Sequence, residues 1–103
     1  MVGRYRDRQD IIDQIKRVEP ALRAHGVESL YLFGSRALNE QTDSSDVDIF
    51  VDPASSDFSA LEHYVGAYDV LTAAIALPVD FGTRAGLSRH LLADIEREAI
   101  RIF

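Results

Sequence analysis

The stretch that decides the fold is "LFGSRALNEQTDSSDVDIFVD", Leu32 to Asp52. One apolar run ends in Gly34-Ser35, a polar loop follows, and a second apolar run opens with two aspartates one residue apart, Asp46 and Asp48. Carboxylates set that close repel each other, and a cation relieves the repulsion. Side chains alternate faces along a strand, so Asp46, Asp48 and Phe50 share one side while Val47, Ile49 and Val51 share the other. The apolar set turns to the core. The two carboxylates then face the opposite, open side, where a hard cation can be clamped by both. A bare Asp-x-Asp also serves as a turn leading into a strand, so the rest of the chain has to discriminate.

Upstream, "VESLYLF" (Val27 to Phe33) is short, rich in β-branched and aromatic residues and followed by Gly34, which reads as a strand. Before it, Ile11, Ile15, Val18 and Leu22 recur at helical spacing, predicting a helix from about Asp7 to His25 that stops at Gly26. Pro20 falls inside that pattern and should kink it or split off a last turn. Arg36 to Ser45 is polar, with Asn39 suited to a left-handed turn, and leads into a second strand, Asp46 to Asp52.

Downstream, Pro53 punctuates the chain, and Ser59 with Glu62 forms a capping box for a helix with the buried stripe Leu61, Val65, Tyr68, Leu71 and Ile75. Leu77 to Gly82 reads as a third strand, with Pro78 tolerable only at its start. A last helix spans about Leu87 to Ala99, with Leu91, Leu92, Ile95 and Ala99 as its apolar positions. "IRIF" (Ile100 to Phe103) either extends it or forms a fourth strand. The order of elements fits an α/β (α+β) fold, a small sheet with helices covering one face.

With 103 residues, residues 1–103 are expected to form a single domain. A composition of 47% hydrophobic and 27% charged residues belongs to a chain that folds. Eleven basic against seventeen acidic residues give a net charge of −6, which argues against a broad nucleic-acid footprint. There is no cysteine, so a metal would be held by oxygen or imidazole, which points to hard cations such as Mg²⁺. The polar start "MVGRYRDRQD" and the absence of a membrane-length apolar run suggest a cytoplasmic protein with no membrane partner.

Asp80 repeats the acidic theme by interrupting the apolar third strand between Val79 and Phe81. If that strand lies beside the second, three carboxylates converge, a cluster suited to two-metal phosphoryl transfer. Gly34-Ser35 at the lip of the same sheet can offer backbone amides and a hydroxyl to a phosphate. Arg36 is either a further phosphate ligand or a surface charge. A phosphate cradle beside a carboxylate cluster is what nucleoside triphosphate chemistry requires.

Gly34-Ser35, ten intervening residues, then Asp46-Val47-Asp48 resembles the Gly-Ser-x10-Asp-x-Asp signature of the DNA polymerase β-like nucleotidyltransferases. "GSRA" followed by "SDVDIFV" is the form typical of the minimal nucleotidyltransferase (MNT) branch. The similarity continues through "PVDFGTRAGLSRHLLADIEREAIRIF", with Asp80 where the family has its third carboxylate. Asn39 stands where glycine is frequent, but asparagine tolerates the same turn.

The resemblance implies a small mixed sheet of the polymerase β-like palm type. It implies Gly34, Ser35 and Arg36 as nucleotide-binding residues, and Asp46, Asp48 and Asp80 as catalytic residues and ligands of two Mg²⁺ ions, with ATP as substrate. It further implies an antitoxin that transfers AMP to a tyrosine of a partner HEPN ribonuclease toxin in a hetero-oligomer. Two alternatives are neutralisation by binding alone, and transfer to a small molecule or an RNA end with a second subunit.

Other residues read as structural. Arg84 and His90 form an Arg-x5-His pair like that of HEPN ribonucleases, a coincidence in a chain that is not all-helical. His25 and His63 are lone histidines on or near helices, Tyr64 and Tyr68 suit core or interface packing, and Asp94, Glu96 and Glu98 form a solvated helix face.

Overall fold

A computed structural model describes residues 7–42, 45–55 and 61–103. Helix α1 (Arg8–Arg17) starts where the Asp7 carboxylate accepts from the Asp10 N–H at 2.9 Å, and it stops at Val18. Helix α2 (Glu19–Ala24) follows at once. Pro20 thus splits the expected helix in two, sitting in the first turn of α2 where a missing N–H costs nothing. Gly26, at φ +90°, then turns the chain into strand β1 (Val27–Phe33), with the bounds expected.

The remaining elements are β2 (Val47–Pro53), α3 (Leu61–Ile75), β3 (Val79–Thr83), a 3-10 turn (Arg84–Gly86), α4 (Arg89–Glu98) and β4 (Ile100–Arg101). "IRIF" therefore opens as a strand. The sheet is mixed, in the order β3-β2-β1-β4. β1 runs antiparallel to both β2 and β4, whereas β2 and β3 are parallel, with α3 in the crossover. Among the described residues, no helix is long and apolar enough to cross a membrane.

Leu30 and Leu32 of β1, Val47, Ile49 and Val51 of β2, and Val79 and Phe81 of β3 join Ile11, Ile15, Leu22, Ala67, Leu71 and Ile75 in one core. Each large aliphatic side chain so buried is worth about 1.5–3 kcal/mol, so this face holds the helices to the sheet. The stripe of α3 differs from the one expected. Leu71 and Ile75 are buried, but Ala67 and Tyr64 take the positions nearer the start, while Val65 and Tyr68 are exposed. An α3 that is apolar on several sides offers two stripes, of which the one with Ala67 and Tyr64 packs on the core. The ring of His25 packs where a Gly66 side chain would be, its nearest atom 2.4 Å from the would-be Cβ. The Ser59 half of the expected capping box and the side chain of Leu61 lie outside the described residues.

Two expectations about the second face also change. β2 starts at Val47, so Asp46 immediately precedes the strand. Nor is that face open throughout, because Phe50 is fully buried on it. Its ring stacks on Tyr31 at 4.7 Å and meets Phe33 at 5.6 Å. The Arg84 guanidinium lies over the Tyr31 and Phe50 rings, 4.9 Å from each centroid. It also grips Asp52 through two bonds of 2.8 and 2.9 Å and pairs with Glu96 of α4. Helix α4 itself contributes no buried residue, and Leu91 of its expected apolar stripe is exposed.

Candidate active site

The end of the second face that Arg84 leaves uncovered carries the aspartates. In the parallel register Asp48 of β2 stands beside Asp80 of β3, and Val47 and Val79 form the pair before them. Asp80 is exposed, Asp48 is half-buried, and Asp46 is exposed just ahead of β2. Burial first, then the charges of Asp80 and Asp46, pushes the Asp48 carboxyl above its ordinary value. Asp80 thus stands beside Asp48, as expected if β3 neighbours β2.

Gly34 closes this corner from β1. Phe33 pairs with Asp48, so the next residue passes directly by the Asp48 side chain. A Cβ at Gly34 would sit 2.2 Å from Asp48 Oδ2, and the backbone there has φ +76°, so only glycine fits. Gly34→Ala should lower the stability by about 1–3 kcal/mol and displace the Asp48 carboxylate, with at least a roughly tenfold loss of any reaction that depends on that carboxylate. Thermal melts and initial rates on the same variant check both.

After Gly34 the chain coils. The Gly34 carbonyl accepts from Ala37 and Leu38, and the Ser35 carbonyl from Glu40. Arg8 of α1 braces the turn by donating to the Ala37 carbonyl at 2.9 Å. Among the described residues the Ser35 N–H donates to no backbone carbonyl, which suits it to an anion. Asn39 has φ +61°, the left-handed turn its residue type favours.

Arg36 is not a surface charge, since it is only 4% exposed. Its Nε and Nη2 donate to the Ser45 carbonyl at 3.2 and 2.9 Å, tying down the loop one residue before Asp46. Nothing in the local sequence distinguishes this arginine from a phosphate ligand, because the bond spans nine residues of polar loop.

The donor set suits a hard dication: carboxylate oxygens only, on one corner, with the Asp48 carboxyl resisting ionisation through burial first and its negative neighbours second. Among the described residues no three such groups are close enough to hold a metal by themselves. Mg²⁺ in phosphoryl-transfer sites does not need that, as it takes one or two carboxylates and completes its shell with substrate phosphates and water.

Comparison with known proteins agrees with this geometry. The family model described as "Nucleotidyltransferase domain" matches residues 15–102. A Methanocaldococcus jannaschii protein provisionally named a protein adenylyltransferase is 31% identical over 77 residues, covering 74% of this chain and 77% of that protein. A solved structure described provisionally as a minimal nucleotidyltransferase superposes with a TM-score of 0.79 at 26% identity, over 95% of this chain and 98% of its own. A second, a toxin-antitoxin crystal structure with AMP-PNP, matches in fold with a TM-score of 0.68 at 23% identity, over 89% of this chain and 72% of that one. The chain belongs to the nucleotidyltransferase domain family and has the minimal nucleotidyltransferase fold.

Proposed function

We propose that this chain is a single-domain, Mg²⁺-dependent antitoxin that transfers AMP from ATP to a tyrosine hydroxyl of a HEPN ribonuclease toxin in the cytoplasm. The observation that carries the reading is the pairing of Asp48 with Asp80 across β2 and β3, with Gly34 packed against Asp48. The adenylyltransferase name of the archaeal relative and the toxin-antitoxin setting of the AMP-PNP structure support it.

In this reading Gly34 and Ser35 bind phosphate oxygens at the end of β1, and Arg36 holds the loop that delivers Asp46. Asp46 and Asp48 are the Mg²⁺ ligands, with Asp80 as a third ligand. Bound Mg²⁺ neutralises phosphate charge and favours ionisation of the attacking hydroxyl. Asp80, exposed at the edge strand, accepts the tyrosine proton as the phenolic oxygen attacks the α-phosphorus. The bond from that phosphorus to the bridging oxygen breaks, and pyrophosphate leaves.

The test is intact-mass spectrometry of the product of the reading frame beside this gene, after incubation with this protein, ATP and Mg²⁺. One or more AMP increments, absent with Asp46→Asn, are the expected result. A stable complex with no mass gain would replace the reading with neutralisation by binding. Label on a small molecule or RNA would move the acceptor off the toxin.

A further inference from the structure

β3 is an edge strand whose one neighbour in the described sheet is β2. The Val47 N–H donates to the Pro78 carbonyl at 2.8 Å, and this sets the parity of the parallel pair. Carbonyls alternate sides along a strand, so those of Pro78, Asp80 and Gly82 turn toward β2 and that of Phe81 turns away. A carbonyl turned outward next to a buried side chain needs a partner. The Tyr64 hydroxyl supplies it, donating to the Phe81 carbonyl at 2.6 Å from helix α3. The Tyr64 ring lies against the Phe81 ring, 5.0 Å between centroids.

We infer that Tyr64 is a positioning residue for Asp80. The β2 ladder holds one side of β3, and the Tyr64 bond holds the other side at the peptide that follows Asp80. With both sides held, the strand cannot roll about its own axis, and the direction in which Asp80 leaves the backbone is set. The same hydroxyl occupies an acceptor that a sheet edge would otherwise offer to another chain. Tyr68, one turn further along α3, has its ring 6.4 Å from Phe81 and is exposed, so it serves as the neighbouring control. The catalytic consequence rests on the proposed role of Asp80, while the pinning of β3 does not.

Tyr64→Phe in the full chain keeps the ring and removes only the hydroxyl. Three readouts are compared with wild type and with Tyr68→Phe. Amide exchange at Asp80 to Gly82 should accelerate by about tenfold, with β1 unchanged. Mn²⁺ affinity, followed by electron paramagnetic resonance, should fall by roughly threefold or more, and kcat for AMP transfer by about tenfold with KM for ATP within about twofold. Tyr68→Phe should match wild type in all three. Unchanged exchange in β3 overturns the inference, as does faster exchange with Mn²⁺ affinity and kcat at wild-type values, which would leave Tyr64 a packing residue. If wild type transfers no nucleotide, the functional reading fails by itself, and exchange together with Mn²⁺ affinity still decides the role of Tyr64.

Discussion

Replacing Asp48 by asparagine is expected to cut nucleotidyl transfer by about 10³-fold while making the protein harder to melt at neutral pH. The first effect follows from the proposed role of Asp48 as a Mg²⁺ ligand, since a charge-stabilising clamp is worth several kcal/mol and each 1.36 kcal/mol is about a factor of ten. The second follows from the electrostatics. Burial, Asp80 and Asp46 hold the folded-state pKa of Asp48 above its ordinary value of 3.8. The folded form therefore binds that proton more tightly than the unfolded chain, and stability falls as the pH rises from 3.8 through the folded-state pKa. Above that folded-state pKa the ionised Asp48 opposes folding. Asparagine keeps the shape, removes the charge and can donate to Asp80. Its advantage should shrink in acid below pH 3.8, where both proteins are neutral at this position. Adding Mg²⁺ should raise the melting temperature of wild type and leave that of Asp48→Asn nearly unmoved. A variant that melts below wild type at pH 7, or that retains transfer, contradicts this account.

The largest loss of stability is expected at Arg84. Its guanidinium binds both oxygens of Asp52, pairs with Glu96 and covers Tyr31 and Phe50. Exposed pairs are worth about 0–1 kcal/mol, whereas breaking a buried one costs about 3–5. Arg84 lies between, with its side chain 30% exposed, and the two ring contacts add to it. Arg84→Ala should therefore cost about 2–3 kcal/mol, roughly 10 °C or more in melting temperature for a chain of this length. Arg84→Lys should recover less than half, since an ammonium cannot form the two-bond fork or lie flat on the rings. The pH dependence has the opposite sign to that at Asp48. The Arg84 hydrogen bonds hold the Asp52 carboxyl below its ordinary value, aided by the Ser29 hydroxyl and opposed by burial. Its contribution is present above pH 3.8 and is lost as the pH falls through the lowered pKa, so the Arg84→Ala deficit should narrow in strong acid. Urea melts at pH 7 and at pH 2.5 check both the size and the sign.

How much of this was legible depended on the distance over which each interaction acts. β1 was readable because its apolar run is bounded by Gly26 and Gly34, and the break at Pro20 because a proline acts on its own turn. The facing of Asp48 and Asp80 was readable as a condition on strand order, which the parallel pair meets. The α3 stripe was not, because its apolar residues admit two faces and spacing along the helix does not choose between them. Arg36 and Arg84 are likewise silent in the sequence. One meets a carbonyl nine residues on, the other a carboxylate 32 residues back, and no spacing rule marks either pair.

β2 carries consequences for how such a protein can change. Val47, Ile49 and Val51 are locked in the core, Phe50 is sealed beneath Arg84, Asp48 faces the candidate active site and Asp52 anchors the arginine. Six consecutive residues thus serve four distinct ends, and shifting the strand by one position would turn each side chain to the opposite face. Freedom to diverge lies in the exposed positions of α4 and of the turn after Gly34, while the strand that carries Asp48 stays fixed.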